Sequence, residues 1–141
     1  MVEKVRFGDL ELAVIIRRSY TKPGIEFFTD INSSQQLGYM NRPMGYFIPP
    51  HRHNLIPREV KLTQEVLFIK SGEVRVDFYD NSQIYIKSSI LNEGDVILLL
   101  NGGHGFKMLK SSEIIEVKQG PYSGEYDKIR FEPVDDLNII F

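Results

Sequence analysis

What most constrains this chain is a repeated pattern of short apolar or alternating runs, each closed off by turn residues. Leu10–Arg18 (LELAVIIRR), Ile25–Thr29 (IEFFT), Glu65–Lys70 (EVLFIK) and Glu73–Tyr79 (EVRVDFY) are rich in β-branched and aromatic side chains. So are Gln83–Ser88, Asp95–Leu100, His104–Leu109 and Glu113–Lys118. KPG, SG, DNS, NEGD, NGG and KSS lie between them, residues that supply turn geometry. Short strands recurring every 8–12 residues or so predict an all-β sandwich or barrel. No window holds a helical period for more than about two turns, so helices are excluded as the main element. At 141 residues, 42% hydrophobic and 26% charged, the chain has the size and composition of one soluble domain.

Alternation assigns faces. In EVRVDFY, Val74, Val76 and Phe78 share one side and Glu73, Arg75 and Asp77 the other, which predicts a strand with a wet outer face. EVLFIK is apolar on both sides, as is DVILLL. Such strands are expected to be covered twice, by the core and by another sheet or subunit, and this predicts a homodimer. Glu65 then heads an inward stripe with Leu67 and Ile69, where an ionised carboxylate requires a cation or strong donors. Arg58 or Lys61 at the rim could serve, as could a metal ion.

Several function classes are excluded early. Net charge is −2 with the cations scattered, so no nucleic-acid face is expected. The chain has no cysteine, which removes disulfides, thiolate metal sites and thiol nucleophiles. Any metal must therefore take nitrogen and oxygen ligands. The N-terminal stretch lacks the pattern of a signal peptide, and no apolar run has the length of a membrane span. The expectation is a cytoplasmic chain with no membrane partner.

The chain holds three histidines, and two of them fall in PPHRHN. A spacing of two puts His51 and His53 on one face of an extended strand, with Arg52 on the other. His104 opens another run, with Phe106 and Met108 on its side. Three imidazoles and the Glu65 carboxylate make a donor set for one divalent transition ion: Fe, Mn, Ni, Cu or Zn. NGGHGF is not a phosphate-binding loop, because no lysine–serine pair follows it, and the chain has no G-x-S-x-G nucleophile. Arg58 is a candidate for binding an anionic group and Tyr122 a candidate for reaching the pocket.

Gly45, His51, His53, Glu65 and Gly72 together resemble the first motif of the cupins. Gly94-Asp95, Gly102 and His104 resemble the second. The departures are the long Asn54–Gln64 segment between the histidine pair and Glu65, Leu100 in place of the usual proline, and His104 standing one residue early. The resemblance implies a single cupin-like domain over 1–141 with core motifs in 45–118. It implies a double-sheet jelly-roll barrel with extra N-terminal strands from residues 1–42, and His51, His53, Glu65 and His104 as metal ligands. The tail IIEVKQGPYSGEYDKIRFEP is also similar to small cupins from bacterial surface-polysaccharide biosynthesis. That implies a small carbohydrate-related ligand. Three functions follow as expectations: a metal-binding cupin acting on or binding such a ligand, a metal-free sugar-nucleotide isomerase or epimerase with His51 or His104 as base, or a non-enzymatic metabolite-binding cupin.

Overall fold

The computed structural model describes residues Met1–Phe141, and the chain is all-β. Ten strands and two 3₁₀ turns make up its regular structure, and no α-helix is present. The strands are β1 (Val2–Phe7), β2 (Leu10–Ile16), β3 (Gly24–Phe27), β4 (Gly38–Asn41) and β5 (Glu65–Ser71). They continue with β6 (Glu73–Tyr79), β7 (Tyr85–Asn92), β8 (Val96–Leu99), β9 (Gly103–Met108) and β10 (Glu113–Lys118). Every pairing is antiparallel, and no sheet closes into a barrel.

The chain divides into two compact units. One combines residues 1–20 with 63–141, and the other is 21–62. The larger unit is a sandwich. Its five-stranded sheet has the order β1-β2-β8-β5-β10 and its three-stranded sheet the order β7-β6-β9. Ala13, Ile15, Leu67, Ile69, Ile97 and Leu99 from the first sheet share one buried cluster with Val74, Val76, Phe78 and Leu91 from the second. The smaller unit has one hairpin, β3 with β4, followed by irregular chain from 42 to 62.

The expected runs are strands, with two additions and one loss. β1 pairs with β2 through the two-residue turn Gly8-Asp9, a connection that favours a glycine of positive φ. β4 is the other addition, so residues 1–42 contribute four strands. The loss is PPHRHN, which lies in irregular chain and is exposed throughout. Double-sided burial falls on β8, whose Ile97, Leu98 and Leu99 are all buried. On β5, by contrast, Phe68 is 38% exposed.

The outer face of β6 is not wet. Arg75 and Asp77 are buried there as a bidentate pair, Nε to Oδ1 at 2.8 Å and Nη2 to Oδ2 at 2.9 Å. Ser88 on β7 donates to the same carboxylate at 2.5 Å. The chain after β10 supplies the cover. Asp136 accepts from Arg75 at 2.8 Å and from Lys107, and the Ile140 carbonyl accepts from the Ser88 amide. Tyr79 receives the Val134 amide at 3.0 Å and meets the Phe131 ring edge-on at 5.0 Å. No buried side-chain polar atom lacks a partner. Local alternation could not show this, because the covering residues lie far along the chain.

The two acids that hold Arg75 differ in burial, and this separates their effects. Asp77→Ala leaves a buried guanidinium short of its main partner and should cost about 3–5 kcal/mol in urea unfolding. Asp136→Ala removes an exposed partner and should shift the same unfolding midpoint far less.

Candidate functional site

Glu65 is the first residue of β5. It stands opposite Leu99 in the ladder and so shares the inward face with Leu67 and Ile69. His104 is the second residue of β9. It stands opposite Phe78, a core side chain, and so faces inward from the other sheet. The two meet across the sandwich, His104 Nε2 lying 3.1 Å from Glu65 Oε2. Glu65 is buried at 7% exposure, and His104 is half-buried. The hydrogen bond from His104 holds the Glu65 carboxyl below the usual glutamate range, overriding the upward push of burial. Lys128 and Lys118, the latter opposite Glu65 in the ladder, add to the lowering.

Local packing fixes His104 tightly. Gly102 has φ +72°, and a Cβ on it would collide with the Tyr79 carbonyl oxygen. A Cβ on Gly103 would come within 2.8 Å of the Phe131 ring. Gly102 and Gly103 therefore serve close approach between β9 and its neighbours. They set the start of β9 against the end of β6, which aims the imidazole at β5.

The surroundings of the pair are polar at one end and apolar along the strand. Gln64 is buried, its backbone N–H donating to the Gln119 side chain, and Thr63 donates to Asp127 at 2.7 Å. Phe106 and Met108 continue the inward stripe from His104, the Phe106 ring lying 5.3 Å from the imidazole. Both stay partly exposed, so the sandwich is open along β9. A carboxylate that orients an imidazole beside an accessible apolar wall can position a proton donor or acceptor against a bound polar molecule.

His51 and His53 lie in the smaller unit. Their rings touch edge to face at 5.4 Å, and both are exposed. His51 Nδ1 sits 3.0 Å from the Pro49 carbonyl, the contact that leaves Nε2 with the lone pair in a neutral ring. Metal-binding histidines are commonly tied in this way through the nitrogen that does not ligate. No three His, Asp or Glu side chains are grouped so as to hold a metal ion. The structure thus brings the four expected donors together as two pairs, Glu65 with His104 and His51 with His53. Of the two rim cations expected for Glu65, Lys61 lies 3.5 Å from Glu59 and Arg58 is exposed in the irregular chain. Tyr122, after the cis Gly120-Pro121 bond, is 88% exposed.

Comparison with known protein families, with curated proteins and with solved structures finds no match to this chain.

One further feature escaped sequence reasoning. Asp95, the acid of the Gly94-Asp95 turn, is buried and accepts from the Arg18 amide, the Asn92 amide and Arg17 at 2.8–3.0 Å. Arg17 also reaches Glu3 at 2.7 Å. Arg17, Arg18, Asn92 and Asp95 border an open groove of about 870 Å³. Its arginines are paired with the chain's own acids, Arg17 with Glu3 and Asp95 and Arg18 with Glu93. No helix is long and apolar enough to cross a membrane.

The Glu65–His104 pair carries a pH signature. A carboxyl lowered by folding contributes stability that is present above its unfolded value, near 4.5, and lost as the pH falls through its folded value. Glu65→Gln should therefore melt below the wild type at pH 7, by the roughly 1.5–3 kcal/mol of a charge-assisted hydrogen bond. The gap should narrow as the pH drops below about 4.5.

Proposed function

We propose that the chain is a metal-binding cupin of jelly-roll topology that acts on or binds a small carbohydrate-related ligand in polysaccharide biosynthesis. The observation that carries this reading is the Glu65–His104 pair, an inward carboxylate from one sheet meeting an inward imidazole from the other. These are two of the positions the cupin resemblance assigns to metal ligands. The strand path supports the topology, since the connections β5–β6, β7–β8, β8–β9 and β9–β10 each pass from one sheet to the other. The carbohydrate-related ligand follows from the similarity of the tail alone.

By donor chemistry the residues suit a first-row divalent ion: neutral imidazole nitrogens and one carboxylate, with no thiolate. Glu65 and His104 are the donors this reading takes from the sandwich, and the cupin resemblance names His51 and His53 as the others. A bound ion would supply Lewis acidity at a ligand oxygen. The chain's own part is to keep Glu65 ionised, to fix the ring of His104 through Gly102 and Gly103, and to offer Phe106 and Met108 as an apolar wall to the ligand. In this reading the protein works as a homodimer.

A second reading is favoured by the same hydrogen bond. With Glu65 accepting from Nε2, His104 keeps Nδ1 available as a general base, which suits a metal-free sugar-nucleotide isomerase or epimerase.

Elemental analysis separates the two. About one transition ion per chain is expected for the first, and the His51→Ala, His53→Ala double variant should lose the ion and the melting temperature it confers. A chain that takes up no metal even after reconstitution would overturn it. For the second, deuterium should enter a sugar ring carbon when nucleotide sugars are supplied in heavy water, and His104→Asn should abolish this. Absence of exchange across a panel of nucleotide sugars counts against the base.

A further inference from the structure

The chain after β10 contains neither a strand nor a buried residue, yet it lies across the outer face of the three-stranded sheet. Polar contacts hold it there. The Val134 amide donates to the Tyr79 hydroxyl, the Ile140 amide to the Tyr85 hydroxyl, and the Ser88 amide to the Ile140 carbonyl. Asp136 accepts from Arg75 and from Lys107. A strap fixed in this way, with no fully buried side chain, belongs to the low-stability end of a fold and opens before the rest. All of these residues belong to the larger unit.

Beneath the strap is a cradle. Arg75 on β6 and Lys107 on β9 stand directly opposite each other in the ladder. Asp77 takes Nε and Nη2 of the Arg75 guanidinium, which fixes the group and leaves Nη1 aimed at the strap. Gly105 stands opposite Asp77, and a Cβ on it would meet nothing nearer than the Tyr79 ring at 3.9 Å. The sheet face is therefore hollow at Gly105, between a fixed guanidinium, an ammonium and a phenol ring.

Burial alone does not call for Asp136. The Arg75 charge is matched by Asp77, and the side chains of Lys107 and Asp136 are 49% and 55% exposed, so water reaches both. What the two cations supply is a two-point seat for one oxyanion, Oδ1 of Asp136 resting on Arg75 and Oδ2 on Lys107. When the strap opens, Arg75 and Lys107 face Asp77 alone, and the seat carries surplus positive charge.

We propose that Asp136 is an internal stand-in for the carboxylate or phosphate group of a small ligand, which takes the Arg75–Lys107 seat by displacing the strap of residues 131–141. The seat lies on the opposite side of β6 and β9 from His104, so it stands or falls independently of the metal.

A ligand that must first open a closed state binds more weakly in proportion to how rarely that state is open, so removing the competitor should unmask the seat. Inorganic phosphate and acetate are the probes, each at an ionic strength held constant with chloride. Either should shift the Arg75 and Lys107 amide resonances of the Asp136→Asn chain at a concentration at least about tenfold below that needed in the wild type. Adding Lys107→Gln should abolish the gain. In the wild type, which needs no variant to fold, excess anion should speed hydrogen exchange at the Val134, Ile140 and Ser88 amides and leave Val76, in the middle of β6, unchanged. A response to phosphate alone assigns the seat to a phosphoryl group, and a response to acetate as well or instead assigns it to a carboxylate. No gain in Asp136→Asn with either anion, or a gain that Lys107→Gln leaves intact, overturns the seat. Exchange at the three amides that is the same with and without anion overturns the displacement.

Discussion

An ionised carboxylate between two apolar sheets is tolerated only when a donor reaches it, and Glu65 is placed under that constraint. The stripe of β5 that it heads is otherwise core: Leu67 and Ile69 pack against Val74, Val76 and Phe78 of the facing sheet. His104 is the donor, and bringing it within 3.1 Å requires β9 to start where it does. That start depends in turn on Gly102, where any side chain would strike Tyr79, and on Gly103 beneath Phe131. One polar contact thereby ties together the register of β5, the docking of β9 on β6 and the path of the chain past β10.

A similar economy governs the opposite face of the three-stranded sheet. Arg75 and Asp77 neutralise each other along one strand, Ser88 and Asp136 take up hydrogen-bonding capacity they leave, and the Ile140 carbonyl accepts in turn from the Ser88 amide. A buried ion pair of this kind adds little net stability over an apolar equivalent but tolerates the loss of a member badly. Its worth to the fold is in specificity: only a segment carrying a carboxylate at Asp136 and a free backbone near Ile140 can lie there.

What the sequence made legible follows from how local each signal is. Period-two patterning with turn residues marked eight of the ten strands, since side-chain direction along a strand is fixed by the backbone itself. The first strand carried its own sign in Gly8-Asp9 between KVRF and LELA and could have been read from it. Glu65 was legible as a residue in need of a partner, because an acid at the head of an apolar stripe calls for one, but that His104 itself is the donor is set by where the two sheets meet. Two features were not legible. The outer side of EVRVDFY looks wet from its own residues, and only a cover from distant residues reverses that. PPHRHN has the spacing of a strand but no neighbouring strand to pair with, and alternation decides a face only where a ladder exists.

The order of strands in the five-stranded sheet has a consequence for how the chain comes to be folded. β2 lies beside β1 almost as soon as it is made, but its other neighbour is β8, with Ala13 opposite Leu99. During synthesis LELAVII must wait, one edge uncovered, while all of the intervening residues are added. Such a segment is sticky in the meantime, and joining ends so far apart is slow. The flanks of the run answer this hazard: Glu11 within it and Arg17-Arg18 immediately after it place charge where a stray strand would dock. The same arginine that later anchors the Asp95 turn can thus guard the nascent sheet against its neighbours on the ribosome.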